Sequence, residues 1–351
     1  MSTVFSAPTV SPFELSASLK SLPANAPTTA EPLVSVVIPL YNGARFIRET
    51  LKSVLAQAYS NIEIIVVDDG STDGGANIVR SIAPDAKVIA QENGGVSSAR
   101  NRGILAATGE LIAFLDSDDL WHSDFLSKMV MAARNHPEAG CFYSDFAYMV
   151  EGEVRGSRLN ELPARPEAQV YERLAAGNFV HMSATLVRRS ALAVSGLFDP
   201  AIKSAEDYDL WLRLARAEEF RCVEEVLSYY RIHGDNSVVS SAHAGNALFG
   251  YQKLRSHHAS NPLVKRTLQV RTGKRSFEFA YAESCRQRFG SAARAYFESF
   301  RLGHRRSRAL AAFFVSFARA SVHSLTTRSS SPSTKPSSVA QTSRARLAKA
   351  G

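Results

Sequence analysis

From Leu33 onward, short runs that are almost wholly apolar alternate with longer segments whose apolar residues recur every three or four positions. Val34-Ser35-Val36-Val37-Ile38 and Ile62-Glu63-Ile64-Ile65-Val66-Val67 predict buried strands, and Ala44 to Gln57 between them predicts an amphipathic helix. Gly74 to Ser81 predicts a second helix, Lys87 to Ala90 a short strand, Ser97 to Ala107 a third helix and Leu111 to Leu115 another strand. Strands that alternate with helices predict an α/β fold with a mainly parallel, twisted sheet flanked by helices. Ligands of such sheets bind at the carboxyl ends of the strands. Polar clusters fall at three of those ends: Pro39-Leu40-Tyr41-Asn42-Gly43, Asp68-Asp69-Gly70-Ser71-Thr72-Asp73 and Asp116-Ser117-Asp118-Asp119.

Beyond this region the pattern loosens. Tyr143 to Val180 suits loops and short strands over an acceptor site, His181 to Val187 a strand, and Arg189 to Val194 a short helix. Leu210, Trp211, Leu214 and Ala215 share one helical face, with Glu206, Asp207 and Asp209 at or near its first turn. Helical patterns resume at 246–320, where Phe277–Arg288 and Ser291–Arg301 predict a hairpin broken at Gly290. Ala309 to Ala318 is apolar but short and is followed by Arg319, which suits a buried or interfacial helix rather than a span. The expected organisation is a flexible arm over 1–32, an α/β unit over 33–245, a basic helical extension over 246–325 and a disordered tail over 326–351.

Charge divides the 351 residues unevenly: residues 251–351 carry a net +17, leaving −9 for the first 250. The basic part suits an anionic membrane surface or a polyanion; it carries no recognised nucleic-acid reading motif, so nucleic acid is not an expected partner. Three dispersed cysteines suggest neither a disulfide framework nor a zinc site. Without a leader pattern or an apolar run of spanning length, the expected location is cytoplasmic, peripheral on the inner face of the membrane.

Three carboxylates at the tip of one strand repel one another, which favours a hard divalent cation, Mg²⁺ or Mn²⁺, between them. An Asp-rich turn capping the next helix is the alternative. Neither G-x-G-x-x-G nor G-x-x-x-x-G-K-[ST] follows the first strand, which removes the main support for dinucleotide and P-loop chemistry. The rim does carry the groups that transfer of a sugar from a nucleotide needs. Tyr41 can lie beside a base, Asp69 can accept from an imide N–H or a ribose hydroxyl, Asp118 with Asp116 can hold a cation, and Asp207 can take a hydroxyl proton. Each has a plainer reading: Asp68 and Asp69 as an Asx turn, Glu206 and Asp207 as complements to a helix dipole, Arg100 as a solvated helix charge, His233 as a loop histidine.

As an ordered set, these segments, with Asn93-Gly94-Gly95, Ser98-Ala99-Arg100-Asn101 and Glu206-Asp207-Tyr208-Asp209-Leu210-Trp211, closely resemble glycosyltransferase family 2 over about residues 33–235. That resemblance implies a GT-A fold, a nucleotide-diphosphate sugar donor, with a UDP-sugar favoured, and inversion at the anomeric carbon. Carried over by position, Pro39, Tyr41 and Asp69 line the nucleoside pocket, and Asn42, Ser71 and Arg100 join the donor-binding set. Asp116 and Asp118 form the D-x-D metal and ribose site, Asp207 is the base and Glu206 supports it. The His233 segment is similar to a loop that closes over the diphosphate. No Q-x-x-R-W follows Asp207, so the expectation is addition of a single sugar to a surface polysaccharide or lipid-linked glycan rather than processive synthesis. The competing readings are a sugar nucleotidyltransferase, which lacks its Gly-rich basic loop here, and a non-catalytic protein that binds anionic partners through its basic end.

Overall fold

The structure is a computed structural model that describes residues 31–157, 169–234 and 241–329. Most of the expected flexible arm and most of the expected disordered tail lie outside these residues. In chain order the first elements are β1 (Val34–Leu40), α1 (Ile47–Leu55), β2 (Ile62–Asp68), α2 (Gly75–Ile82), β3 (Lys87–Ala90), α3 (Val96–Ala106), β4 (Leu111–Phe114), β5 (Leu120–Trp121) and α4 (Phe125–Asn135). There follow β6 (Ala139–Val150), β7 (Glu153–Ser157), α5 (Val170–Ala176), β8 (Thr185–Arg188), α6 (Arg189–Ser195), α7 (Glu206–Ala217) and β9 (Glu219–Ile232). Four helices close the described chain: α8 (Ser241–His257), α9 (Pro262–Cys285), α10 (Phe289–Arg301) and α11 (Arg306–Ser329).

The fold is α/β, with one nine-stranded sheet among the described residues in the order β3-β2-β1-β4-β8-β6-β9-β5, and β7 paired to β6. Its first half is parallel, as the alternation predicts: β1 pairs with β2 and β4, and β2 with β3. The second half is mixed. β8 runs antiparallel to both β4 and β6, β9 runs parallel to β6, and β5 runs antiparallel to β9. Apolar runs report burial, not strand direction, so this half was beyond the reach of pattern alone.

Alternate residues of the central strands feed opposite faces of the sheet. Val37, Ile65 and Phe114 pack with Ile104 of α3 and with Leu210, Trp211 and Leu214 of α7. Val36, Ile38 and Val66 pack with Ile47, Leu51 and Val54 of α1 and with Phe125 and Met129 of α4. α3 lies very close to β1 because Gly103 has no side chain: a Cβ there would stand 2.4 Å from Val37 Cγ1.

Helices α8 and α9 contribute Tyr251, Leu254, Val264 and Leu268 to the first of these clusters, so they are built onto the sheet unit. Asn261 caps α9, its side chain accepting from the Val264 amide at 3.1 Å, with Pro262 in the first turn. The expected break at Gly290 is displaced. Gly290 lies within α10, and the chain turns at Arg286–Arg288, where Gln287 adopts φ 62° and the Glu283 carbonyl accepts from the amides of Arg286 and Arg288. α11 continues to Ser329, past the expected start of the tail. No helix among the described residues is long and apolar enough to cross a membrane.

Candidate active site

A cleft of about 480 Å³ opens at the carboxyl ends of β1, β2 and β4, lined by Pro39, Leu40, Tyr41, Asp69, Asn93, Gly95, Arg100, Asp116, Asp118, Glu206 and Tyr230, among others. Parallel register brings these ends together: Leu40 stands opposite Asp68, and the Asp69 amide donates to the Leu40 carbonyl at 2.8 Å. Tyr41 projects from the rim, 55% exposed. Asp69 is buried, and its carboxylate accepts from Gln91 Nε2 at 2.7 Å and from the amides of Gly94 and Gly95, each at 2.8 Å. It thereby fixes the loop into α3 while facing the cleft. Asn42 and Ser71 do not line the cleft. The Asn42 amide donates to Ser71 Oγ at 3.0 Å, and Asn42 Oδ1 accepts from the Thr72 amide at 2.9 Å, so the pair clips two strand-end loops together. Asn42 does this at φ 48°, a conformation that asparagine tolerates better than most residues.

The acidic tip after β4 splits into three different environments. Asp116 Oδ1 accepts from Arg100 Nη2 at 2.6 Å, and the same guanidinium donates through Nη1 to Glu206 Oε1 at 3.0 Å. Arg100 is buried and lies 5.4 Å from the centre of the Phe198 ring. Burial opposes its charge, but the two carboxylates outweigh that effect and raise its pKa, so it stays a cation. Asp118 Oδ2 lies 3.0 Å from His233 Nε2. Burial first, then the charges of Asp119 and Asp116, push its pKa up to about 6. Asp119 is fully buried and accepts from Ser183 Oγ at 2.6 Å, His181 Nε2 at 3.0 Å and the Arg231 amide at 3.0 Å. It orients the turn, and it ties that turn to β9.

Asp207 is next to Glu206 in the first turn of α7, beside the residues that line the cleft. Its Oδ1 accepts from the Tyr208 amide at 2.7 Å and its Oδ2 from Asn178 Nδ2 at 2.9 Å. Burial and then the neighbouring Glu206 charge push its pKa up to about 6, against the lowering pull of those bonds and of Arg100. Four further residues belong to the network: Asn178 on Asp207, His181 on Asp119, Tyr230 in the lining, and Arg231, whose Nε donates to the Asp118 carbonyl at 2.8 Å. Asn178 falls in the irregular stretch where no periodicity pointed to it. Partial burial disfavours the charge of His181, yet Asp119 holds its pKa above the ordinary histidine value.

The donor set suits a hard cation held partly by the protein. Among the described residues no group of three or more His, Cys, Asp or Glu side chains forms a complete cage. Asp118 nevertheless offers a half-buried carboxylate that resists ionisation beside two other anions, with Asp116 two residues away. Mg²⁺ or Mn²⁺ is commonly held by one or two carboxylates with substrate phosphate and water completing the shell. Asp118 and Asp116 would hold such an ion here.

The cleft at parallel strand ends, with an acidic tip and a second pair of carboxylates across a buried arginine, is the candidate site of an α/β fold of the GT-A kind. The sequence model of glycosyl transferase family 2 matches residues 35–194. An uncharacterized glycosyltransferase of Rickettsia typhi is 34% identical over 215 residues, 58% of this chain and 65% of that protein. TuaG of Bacillus subtilis, described as a teichuronic acid biosynthesis glycosyltransferase, is 31% identical over 239 residues, 66% of this chain and 92% of that protein. In fold the chain is similar to S. aureus TarS 1-349 in complex with UDP-GlcNAc, with TM-score 0.60, 18% identity, and coverage of 84% of this chain and 92% of that one. It is also similar to the mannosyltransferase PcManGT of Pyrobaculum calidifontis in complex with GDP-Man and Mn²⁺, with TM-score 0.52, 21% identity, and coverage of 87% and 86%. The chain belongs to glycosyl transferase family 2. The match spans just under two thirds of the Rickettsia typhi relative.

Proposed function

We propose that this protein is an inverting glycosyltransferase that moves a single sugar from a nucleotide-diphosphate sugar, a UDP-sugar by preference, to a hydroxyl acceptor. The observation that carries the reading is Asp207. A carboxylate whose pKa is pushed up to about 6 is matched to accepting a proton near neutrality, and Asp207 stands next to Glu206, which lines the cleft together with the acidic tip. Pro39, Tyr41 and Asp69 form the nucleoside end. When bound at Asp118 and Asp116, Mg²⁺ or Mn²⁺ supplies positive charge to the departing diphosphate. Arg100 fixes Asp116 and Glu206 at a set separation and adds a buried positive charge between the two halves of the site. The acceptor oxygen gives its proton to Asp207 and forms its bond to the anomeric carbon. The bond from that carbon to the diphosphate oxygen breaks on the opposite face, and its electron pair leaves with the nucleotide. His233, held on Asp118, would lie over the diphosphate, as the family resemblance of its segment implies.

TuaG, with its role in teichuronic acid biosynthesis, supports an acceptor in surface polysaccharide or lipid-linked glycan synthesis. TarS and PcManGT, seen with UDP-GlcNAc and with GDP-Man and Mn²⁺, support the nucleotide-sugar donor and the divalent cation. Such acceptors are met at the inner face of a membrane, where the basic helical extension would act. Incubation with a panel of nucleotide sugars and Mn²⁺ tests the reading through slow release of nucleoside diphosphate without acceptor. One donor should be turned over by the wild type and not by Asp118→Ala. Turnover of none, or equal turnover by both, contradicts it.

A further inference from the structure

Helix α11 packs one face against α10 and turns another to solvent. Ala309 and Ser316 are buried, while Phe313, half-buried, lies 5.5 Å from the Phe297 ring of α10. On the outer face Phe314 is 60% exposed and Phe317 57%, with partly buried Leu310 one helical turn before Phe314. At 100° per residue, Phe317, Leu310, Phe314 and Val315, the last 53% exposed, fall within one sector about 160° wide. Arg306 flanks it on one side, and Arg308 and Arg319 lie round the other edge of the helix. Large apolar side chains seldom stand this exposed in a row, and such a patch marks a contact surface.

The surroundings decide what the contact is. Residues 286–321 hold eight arginines and a single acidic residue, Glu298. Glu298 is already paired with Arg301 and Arg255, and Arg294, Arg305, Arg306, Arg308 and Arg319 form no ion pair with the described residues. A second copy of so basic a face would be repelled. A polyanion would use the charge but gain nothing from exposed phenylalanines. An anionic lipid surface uses both: aromatic and aliphatic residues enter the acyl boundary, and arginines at the flanks stay with the headgroups.

We propose that the outer face of α11, with Phe314, Val315 and Phe317 across it and Arg306, Arg308 and Arg319 at its flanks, docks this protein on an anionic lipid bilayer, lying in the interface without crossing it. The docking deepens the proposed membrane-side acceptor, but its test involves no donor or acceptor, so either can fail without the other.

Cosedimentation with phosphatidylcholine vesicles carrying 30% phosphatidylglycerol, and with pure phosphatidylcholine vesicles, decides the matter. The full chain is expected to bind the anionic vesicles and to release from them at 0.5 M NaCl. Phe314→Ser/Phe317→Ser should lower vesicle affinity at least tenfold, and each of Arg306→Gln, Arg308→Gln and Arg319→Gln roughly fivefold. Far-ultraviolet circular dichroism and the thermal midpoint should stay at wild-type levels, because these side chains are exposed. Three results would overturn the proposal: wild type that stays in the supernatant, equal binding to both vesicle types, or binding that survives loss of both phenylalanines. Self-association abolished by the phenylalanine changes, without vesicle binding, would make the face a dimer contact instead.

Discussion

A carboxylate held at the edge of ionisation is useful to a reaction and costly to a fold, and Asp207 exposes both effects. Changing it to Asn keeps the shape and the bond from the Tyr208 amide, so nucleotide-sugar affinity should stay within about twofold. Turnover should fall by roughly 10²–10⁴, the usual worth of a positioned general base. Equilibrium binding and initial rates on the same preparation separate the two effects, and equal losses would mark Asp207 as structural. Because its pKa is pushed up to about 6, kcat/KM should fall as pH drops through about 6. The stability consequence runs the other way. Asp207 binds its proton more tightly when folded than when unfolded, so its favourable contribution is complete below pH 4 and is lost as pH rises through about 6. Asp207→Asn should therefore melt above the wild type at pH 7.5 and level with it near pH 4, as thermal scans across that range would read. Asp119 is the contrasting case in the same tip. It is fully buried with three donors, and it organises the turn rather than meeting a ligand.

At the scale of elements, the site depends on how closely α3 lies on β1. Arg100 and Asn101 are neighbours on α3, and Asn101 makes two bonds of 2.9 Å with the backbone of Phe198, the ring beside the Arg100 guanidinium. Gly103→Ala would drive a Cβ into Val37, push α3 outward and shift Arg100 with it. The expected cost is about 1–3 kcal/mol in urea denaturation, with a clear loss of turnover; an unchanged midpoint would contradict this packing account. The elements that build the nucleotide half were legible in the sequence because each is a short apolar run or a periodic helix closed by turn residues. The first four strands fall within a residue or two of their expected bounds. The other half was not. β6 runs Ala139–Val150 with buried Ser144 and Asp145 at its middle, and β9 runs Glu219–Ile232 through Arg221, Glu224 and Glu225, so neither reads as an apolar run. Tertiary pairing along their length makes these strands. The same gap hid Asn178 and His181, whose roles exist only once distant segments meet.

Across the whole molecule, charge and packing divide the chain differently. Charge changes near residue 250, yet α8 and α9 sit in the sheet's own core, and Gly250 brings α8 so near the loop before α7 that a Cβ would stand 2.3 Å from the Ser204 carbonyl oxygen. We propose that the separable part of the extension begins at the end of α9, where Ala280 of α9 forms a small separate cluster with Ala292, Ala295 and Tyr296 of α10. On this view the molecule is a nucleotide-sugar site joined through α8 and α9 to a basic, aromatic docking face, and its central claim concerns the cleft. Nucleotide binding tests that claim most directly. UDP with Mn²⁺, each at about a hundred times its dissociation constant, should stabilise the wild type by about 2.7 kcal/mol per bound ligand. A thermal melt would read this as a rise of several degrees. Asp118→Ala should lose most of that rise, while Asp207→Asn should keep it. No rise with any nucleotide, or a rise that Asp118→Ala leaves intact, would contradict the account.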